Sequence, residues 1–202
     1  MISLVSATAA FQAPAASVRH VAAQHSAVSM MVKSKALPFL ESPAHLEGMI
    51  GNVGFDPMGL STPQNIKWMR EAELKHGRMC QLAWFGYVAV DLGIKFPGAR
   101  YDLTSFAAHD ALAKKELFFA LLLVGTFETI GFTQIYNMMD GDDREPGDFG
   151  FDPLKLLKGN EEQYKLAELT HGRAAMLAFS AVVTQSALPS AFGYGKETFP
   201  YF

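Results

Sequence analysis

Residues 72–78 read Ala-Glu-Leu-Lys-His-Gly-Arg, and residues 167–173 read Ala-Glu-Leu-Thr-His-Gly-Arg. The two stretches differ at one position and stand 95 residues apart. A second pair precedes them in the same order: Val-Gly-Phe-Asp-Pro-Met-Gly-Leu at 53–60 and Phe-Gly-Phe-Asp-Pro-Leu-Lys-Leu at 149–156, offset by 96 residues. Two matched motifs in one order, at nearly one offset, mark a duplicated loop-plus-helix unit. In each unit proline sets φ in the Gly-Phe-Asp-Pro turn and glycine relieves the backbone. A polar connector follows, then a helix that starts with charges and turns apolar.

Working outward, the apolar part of the first unit runs from Met79 to Ile94, broken by Gln81 and Asp91. That of the second runs from Ala174 to Leu188, with Thr184 and Gln185 inside. Each is shorter than the roughly 20 residues a membrane span needs, and the preceding charged turn brings each to about 22. These helices therefore cross a bilayer only if Glu, His and Arg enter it with them. Between them, Leu117 to Phe132 is apolar with Glu128 as its only charge, and it extends to Met139. The expected fold is an all-α membrane protein of three transmembrane helices, at about 66–94, 113–139 and 162–188, with the first and third crossed as a pseudo-twofold pair.

The repeated turn constrains that pair. A charge at the bilayer centre is costly and needs a partner. At about 100° per residue, Glu73 and His76 lie roughly 60° apart on one face, whereas Arg78 is about 140° from Glu73. Glu73 and Arg78 are poorly placed to pair with each other. A second copy of the motif solves this: placed antiparallel or crossed about a pseudo-twofold axis, Glu73 meets Arg173 and Glu168 meets Arg78. Gly77 and Gly172 have no side chain to hinder close approach. A neutralised carboxylate keeps spare oxygen lone pairs. Glu73, His76, Glu168 and His171 each offer one atom of the kind that ligates the magnesium of a tetrapyrrole, and such a neutral arrangement is tolerable in the membrane. Glu128, alone in an apolar helix, has the same problem and the same remedy. Gln185, an amide 17 residues after Glu168, is a neutral ligand candidate near the far end.

The paired Glu-Leu-x-His-Gly-Arg turns, each after a Gly-Phe-Asp-Pro loop, resemble the light-harvesting chlorophyll-binding family. The His-Gly-Arg form in both helices resembles its fucoxanthin–chlorophyll a/c type, over about residues 48–188. That resemblance implies three thylakoid helices, the outer two locked by two Glu–Arg pairs. It implies chlorophyll ligation at the positions of Glu73, His76, Glu128, Glu168, His171 and Gln185, with the magnesium of chlorophyll as the only metal. It implies carotenoids in the grooves of the crossed pair, their ends near Phe55-Asp56-Pro57 and Phe151-Asp152-Pro153. Chlorophyll a, chlorophyll c and fucoxanthin or a related xanthophyll are the implied pigments. Thylakoid lipids, other antenna subunits and a photosystem core, photosystem I ahead of photosystem II, are the implied partners. No His follows His171, so the C-terminal chlorophyll site of green-plant relatives is not expected here. Gln81 is either an additional ligand or a packed polar group.

The totals agree with this reading. The 202 residues carry a net charge of −3 and are 50% apolar. No basic stretch with interleaved aromatics suits nucleic acid. One cysteine, Cys80, precludes an internal disulfide. The first acidic residue is Glu41, and the preceding stretch, rich in Ala and Ser, has the composition of a transit peptide. The stretch Ala7-Thr8-Ala9-Ala10-Phe11-Gln12-Ala13-Pro14 resembles the cleavage context of plastid precursors. Residues 1–30 are expected to be a plastid targeting segment and 31–202 the pigment-binding domain. His45 and His109 are expected outside the helices, as surface residues.

Two other functions compete. Two Glu-x-x-His motifs also belong to di-iron carboxylate oxidases, but these want four helices and further glutamates, and Arg78 and Arg173 would repel the metals. A photoprotective, energy-dissipating relative would use the same residues as an antenna. The expected function is light harvesting without catalysis: no bond is made or broken, and no catalytic residue is named.

Overall fold

Among the described residues, three long α-helices and one short one carry the fold. The computed structural model describes residues 33–112, 115–153, 155 and 159–188. The targeting segment expected at 1–30 lies outside the described residues. The helices are α1 (Ile66–Asp91), α2 (Ser105–Leu112), α3 (Glu116–Asp140) and α4 (Glu161–Ala187). Single 3-10 turns occupy Ala44–Leu46 and Ala99–Tyr101, and an isolated bridge joins Lys33 to Glu41.

Thr62 and Asn65 exchange two side-chain-to-backbone hydrogen bonds just ahead of α1, the reciprocal arrangement that fixes a helix start. α1 ends at Asp91, three residues short of the expected 94, because Gly93 turns left-handed at φ +90° and the chain folds back on the Val88 and Ala89 carbonyls. The Asp91 carboxylate then accepts the Ser105 amide at 2.8 Å and its hydroxyl at 2.6 Å, capping α2. The connector ahead of the middle helix therefore holds a helix of its own, in an alanine-rich stretch whose first amide is satisfied from another element. The middle helix starts at Glu116 rather than 113, and His109 lies on α2 instead of outside the helices. α4 opens with Glu161 and Glu162, whose charge suits the positive end of the helix dipole.

α1 and α4 form the centre of the molecule. They run in the same direction: Gly77 faces Gly172, and further along both helices the Tyr87 and Phe179 rings meet edge to face at 6.4 Å. Of the two arrangements open to the sequence, crossed and parallel is the one adopted. A Cβ on Gly77 would sit 2.9 Å from the Gly172 Cα, and a Cβ on Gly172 would sit 3.1 Å from the Gly77 Cα. Backbone meets backbone there, which only glycine permits. α3 packs antiparallel on α1: Arg144, just beyond its end, pairs with Glu71 near the start of α1, while Glu116 at its beginning pairs with Arg100 beyond the end of α1.

The apolar core is very small. Among the described residues only Met138, Leu169 and Val182 are buried hydrophobics. Phe118, Phe119, Leu121, Leu122, Leu123 and Phe127 of α3 are each more than half exposed. Such a face is stable only where its surroundings are apolar. α3, at roughly 37 Å long, exceeds the hydrocarbon thickness of a bilayer. Among the described residues it is the single helix both long and apolar enough to span; α1 and α4 have the length, but charged turns dilute their apolar character.

Gly77→Ala is expected to destabilise the protein by about 1–3 kcal/mol, because one backbone must move away from the other. The check is thermal unfolding in detergent, beside Gly86→Ala, where a Cβ meets open space and the melting temperature should hold or rise.

Candidate functional site

The glycine crossing brings the two repeated turns side by side. Arg78 Nε donates to Glu168 Oε1 at 2.6 Å, and Arg173 Nε donates to Glu73 Oε1 at 2.8 Å. Each arginine also donates to a loop of the opposite repeat: Arg78 Nη2 to the Gly147 carbonyl at 2.9 Å, Arg173 Nη1 to the Gly51 carbonyl at 3.1 Å. Gly51 and Gly147 are themselves equivalent, 96 residues apart, and both adopt left-handed backbone, at φ +69° and +83°. A Cβ on either would overlap a leucine of the other repeat, Leu169 or Leu74. Each guanidinium thus joins a carboxylate and a loop that belong to the other half.

The symmetry is incomplete. Glu73 has a second cation, since Arg70 Nη1 reaches its other oxygen at 2.8 Å. Among the described residues Glu168 has Arg78 alone. Lys165, at the position equivalent to Arg70, turns instead to Glu145 and Glu161. Glu71, only 2% exposed, is held by Arg144 Nη2 at 3.0 Å to both oxygens and by the Gly147 amide. Its equivalent in the second repeat is Leu166, so this lock exists once. Arg144 and Arg78 also lie over the Phe149 ring, at 4.8 and 5.7 Å.

His76 and His171 are alike and exposed. Nδ1 of each lies 2.7 Å from the carbonyl four residues earlier, Ala72 and Ala167. A carbonyl only accepts, so Nδ1 is the donor in this contact, and in the neutral imidazole that leaves the Nε2 lone pair for a ligand. Two carboxylates with neutralised charge and two oriented imidazoles therefore stand on one pair of helices. Each group can give one donor atom to an electron-poor centre, and each of the two reciprocal Glu–Arg pairs is neutral.

The other candidates are dispersed. Glu128 is not alone in its helix environment: Lys75 of α1 forms an ion pair with it. Gln185 is half-buried near the end of α4 and Gln81 half-buried on α1. His45 occupies the first 3-10 turn, with Nε2 2.8 Å from the Ser61 hydroxyl. Two clefts flank the crossing. One, of about 580 Å³, has Phe55, Asp56, Ser61, Glu73 and Arg173 among its walls. The other, of about 550 Å³, has Leu74, Arg78, Phe149, Phe151 and Glu168 among its walls. Phe55, Asp56 and Phe151 of the repeated loops thus face clefts; Pro57, Asp152 and Pro153 shape the turns outside their walls. Among the described residues no three His, Cys, Asp or Glu side chains converge as a metal site would require, which counts against the di-iron arrangement.

Three features escaped the sequence reading. The Gly51 and Gly147 acceptors were accessible, because the repeat extends back to Gly-x-x-Gly-Phe-Asp-Pro at 51–57 and 147–153. The Glu71–Arg144 and Lys75–Glu128 pairs join residues 73 and 53 apart in different elements, with no local pattern to announce them.

Comparison with known proteins bears on the same region. Residues 42–187 match the family described as Chlorophyll A-B binding protein. A fucoxanthin-chlorophyll a-c binding protein of Chattonella marina var. antiqua is 35% identical, covering 95% of this chain and 86% of the relative. A photosystem I chlorophyll a/b-binding protein 5 of Arabidopsis thaliana is 30% identical over 75% of this chain and 69% of its own length. A light-harvesting complex stress-related protein 3.2 of Chlamydomonas reinhardtii is 31% identical over 81% and 68%. All three carry the designation chloroplastic.

The first loop has a pH signature. The Ser61 hydroxyl, 2.5 Å from Asp56 Oδ2, holds that carboxyl below the usual carboxylate range; burial opposes it, and the amides of Ser61, Leu60 and Gly59 add to the lowering. A lowered folded-state value means the stabilisation is complete above the unfolded value and is lost as pH falls through the folded one. The difference in melting temperature between native protein and Asp56→Asn should therefore be clear at about pH 6 and shrink at about pH 3.

Proposed function

The chain belongs to the chlorophyll A-B binding protein family, and we propose that it is a thylakoid antenna subunit that holds chlorophylls and carotenoids and passes excitation to a photosystem. Like the relatives named above it is a chloroplast protein. The observation that carries the reading is the crossed pair of turns. A magnesium tetrapyrrole leaves an axial position for one protein atom, and oxygen or imidazole nitrogen suits this hard cation. Glu73, Glu168, His76 and His171 supply such atoms with their charge already compensated. Glu128 and Gln185 are the further proposed ligands. With three buried apolar side chains among the described residues, pigments are the material that fills the space between the helices.

In this reading α1, α3 and α4 all cross the membrane, the charged turns of α1 and α4 entering it as paired ions. The protein's contribution is positional: His76 and His171 are oriented by their backbone hydrogen bonds, the arginines hold the carboxylates, and the helices exclude water. The clefts beside Phe55-Asp56-Pro57 and Phe151-Asp152-Pro153 take the ends of carotenoids. Similarity to fucoxanthin-chlorophyll a-c binding proteins supports chlorophyll a, chlorophyll c and a fucoxanthin-type xanthophyll as the pigments. Similarity to a photosystem I antenna supports photosystem I as the first partner to test, together with other antenna subunits.

Similarity to stress-related light-harvesting proteins favours a second reading, in which the bound pigments dissipate excitation as heat. The fluorescence lifetime of the isolated complex separates them: an antenna keeps a lifetime of nanoseconds, a quencher shortens it severalfold.

Pigment extraction and chromatography of the native complex should yield chlorophyll and carotenoid in fixed ratio to protein; a colourless protein would end the proposal. The pairing has its own test. Arg78→Leu strips Glu168 of the one cation it has among the described residues and should abolish pigment-loaded folding. Arg173→Leu leaves Arg70 on Glu73 and should reduce the yield of coloured complex less severely.

A further inference from the structure

The two repeated turns differ at one position, where the first has Lys75 and the second Thr170. The structure supplies a reason. Thr170 satisfies its hydroxyl within its own helix, on the Leu166 and Ala167 carbonyls at 3.0 Å each. Lys75 leaves its helix and pairs with Glu128 of α3. Among the described residues α3 packs on α1 and has no pseudo-twofold counterpart against α4, so only the first turn has a carboxylate to meet. Space for the ammonium is built in: Gly131, one turn after Glu128 and buried, would carry a Cβ 3.7 Å from Lys75 Nζ. Any longer side chain there would press the ammonium away from the carboxylate. Lys75 engages Oε2, and Oε1 of Glu128 accepts no other hydrogen bond among the described residues.

We propose that Lys75 is the charge-balancing, positioning residue of a pigment site on α3. It neutralises Glu128 so that the free carboxylate oxygen can ligate a chlorophyll magnesium in an apolar setting, and Gly131 admits it. This rests on the chlorophyll-binding reading above and deepens it. The site is a one-sided version of the crossed pairs, with a lysine from the neighbouring helix in place of an arginine from the twin. An unpaired carboxylate on a lipid-facing helix would be protonated or driven out of place. A neutral amide at the same position would need no counter-ion.

That last property provides the test. Chlorophyll per protein is measured by extraction from complexes of the native sequence, Lys75→Met, and Lys75→Met combined with Glu128→Gln, each assembled with the same pigments. Lys75→Met should lose about one chlorophyll per protein, and the double variant should recover it although the ion pair is gone, because glutamine offers a neutral ligand oxygen. A merely structural bridge between α1 and α3 would leave the double variant short of pigment, and that result overturns the proposal. So does a full complement in Lys75→Met. If Lys75→Met yields no complex, the double variant decides alone: full pigment supports the assignment and a missing chlorophyll refutes it. Gly131→Val should reproduce the loss while Gly131→Ala should not; a full complement in Gly131→Val overturns the role of the glycine. Failure of the parent reading looks different, since the native complex itself would then hold no chlorophyll.

Discussion

The reciprocal ion pairs Arg78–Glu168 and Arg173–Glu73 are the constraint on which the rest of the molecule depends. In an apolar medium neither a guanidinium nor a carboxylate is tolerable alone. Helical geometry keeps the acid and base of one turn on different faces, so Arg78 and Arg173 each find their carboxylate on the other helix, while Glu73 also has Arg70 of its own helix. That requirement brings the axes together, and closeness in turn demands glycine at 77 and 172, where backbone meets backbone. The same guanidinia reach the Gly51 and Gly147 carbonyls, so the loops ahead of the helices are tied to the crossing as well. One electrostatic necessity thus organises two helices and two loops.

Among the described residues, apolar burial adds little to this. A water-soluble domain of this length buries a substantial apolar core. Here the buried apolar residues among those described are three, and the large side chains of α3 face outward. Polar contacts near the crossing do much of the work that a core does elsewhere: the buried Glu71–Arg144–Gly147 cluster fastens the second loop to α1, and Asp91 fastens α2 to the end of α1. A scaffold of this kind has open apolar faces by construction. In the proposed antenna reading, bound pigment and lipid would supply the missing contacts.

The departures from the internal symmetry at Lys75 and Glu71 trace to one cause. A twofold pair has two equivalent flanks, but α3 occupies only one. On that flank Lys75 meets Glu128 and Glu71 meets Arg144, whereas the equivalent positions on the other flank hold Thr170, which bonds its own helix, and Leu166. The second cation on Glu73, against the one found on Glu168 among the described residues, makes the two central pairs electrostatically unequal. Two sites of identical sequence pattern therefore present different fields to whatever they bind.

The duplication was legible in the sequence, as were the approximate limits of the three long helices, because apolar runs and repeated motifs are local patterns. The need for an exchange of partners between the two turns also followed from helical angles alone, since the separation of Glu73 from Arg78 is fixed by residue spacing. Other features were hidden. α2 takes its cap from Asp91, 14 residues away, and no local signal marks that bond. The parallel course of α1 and α4, the lysine offered to Glu128 and the burial of Glu71 depend on which elements become neighbours. Spacing along one helix determines which groups a residue cannot reach; only the packing of separate helices decides which group it does reach, because that choice is made by distances through space that the chain order does not contain.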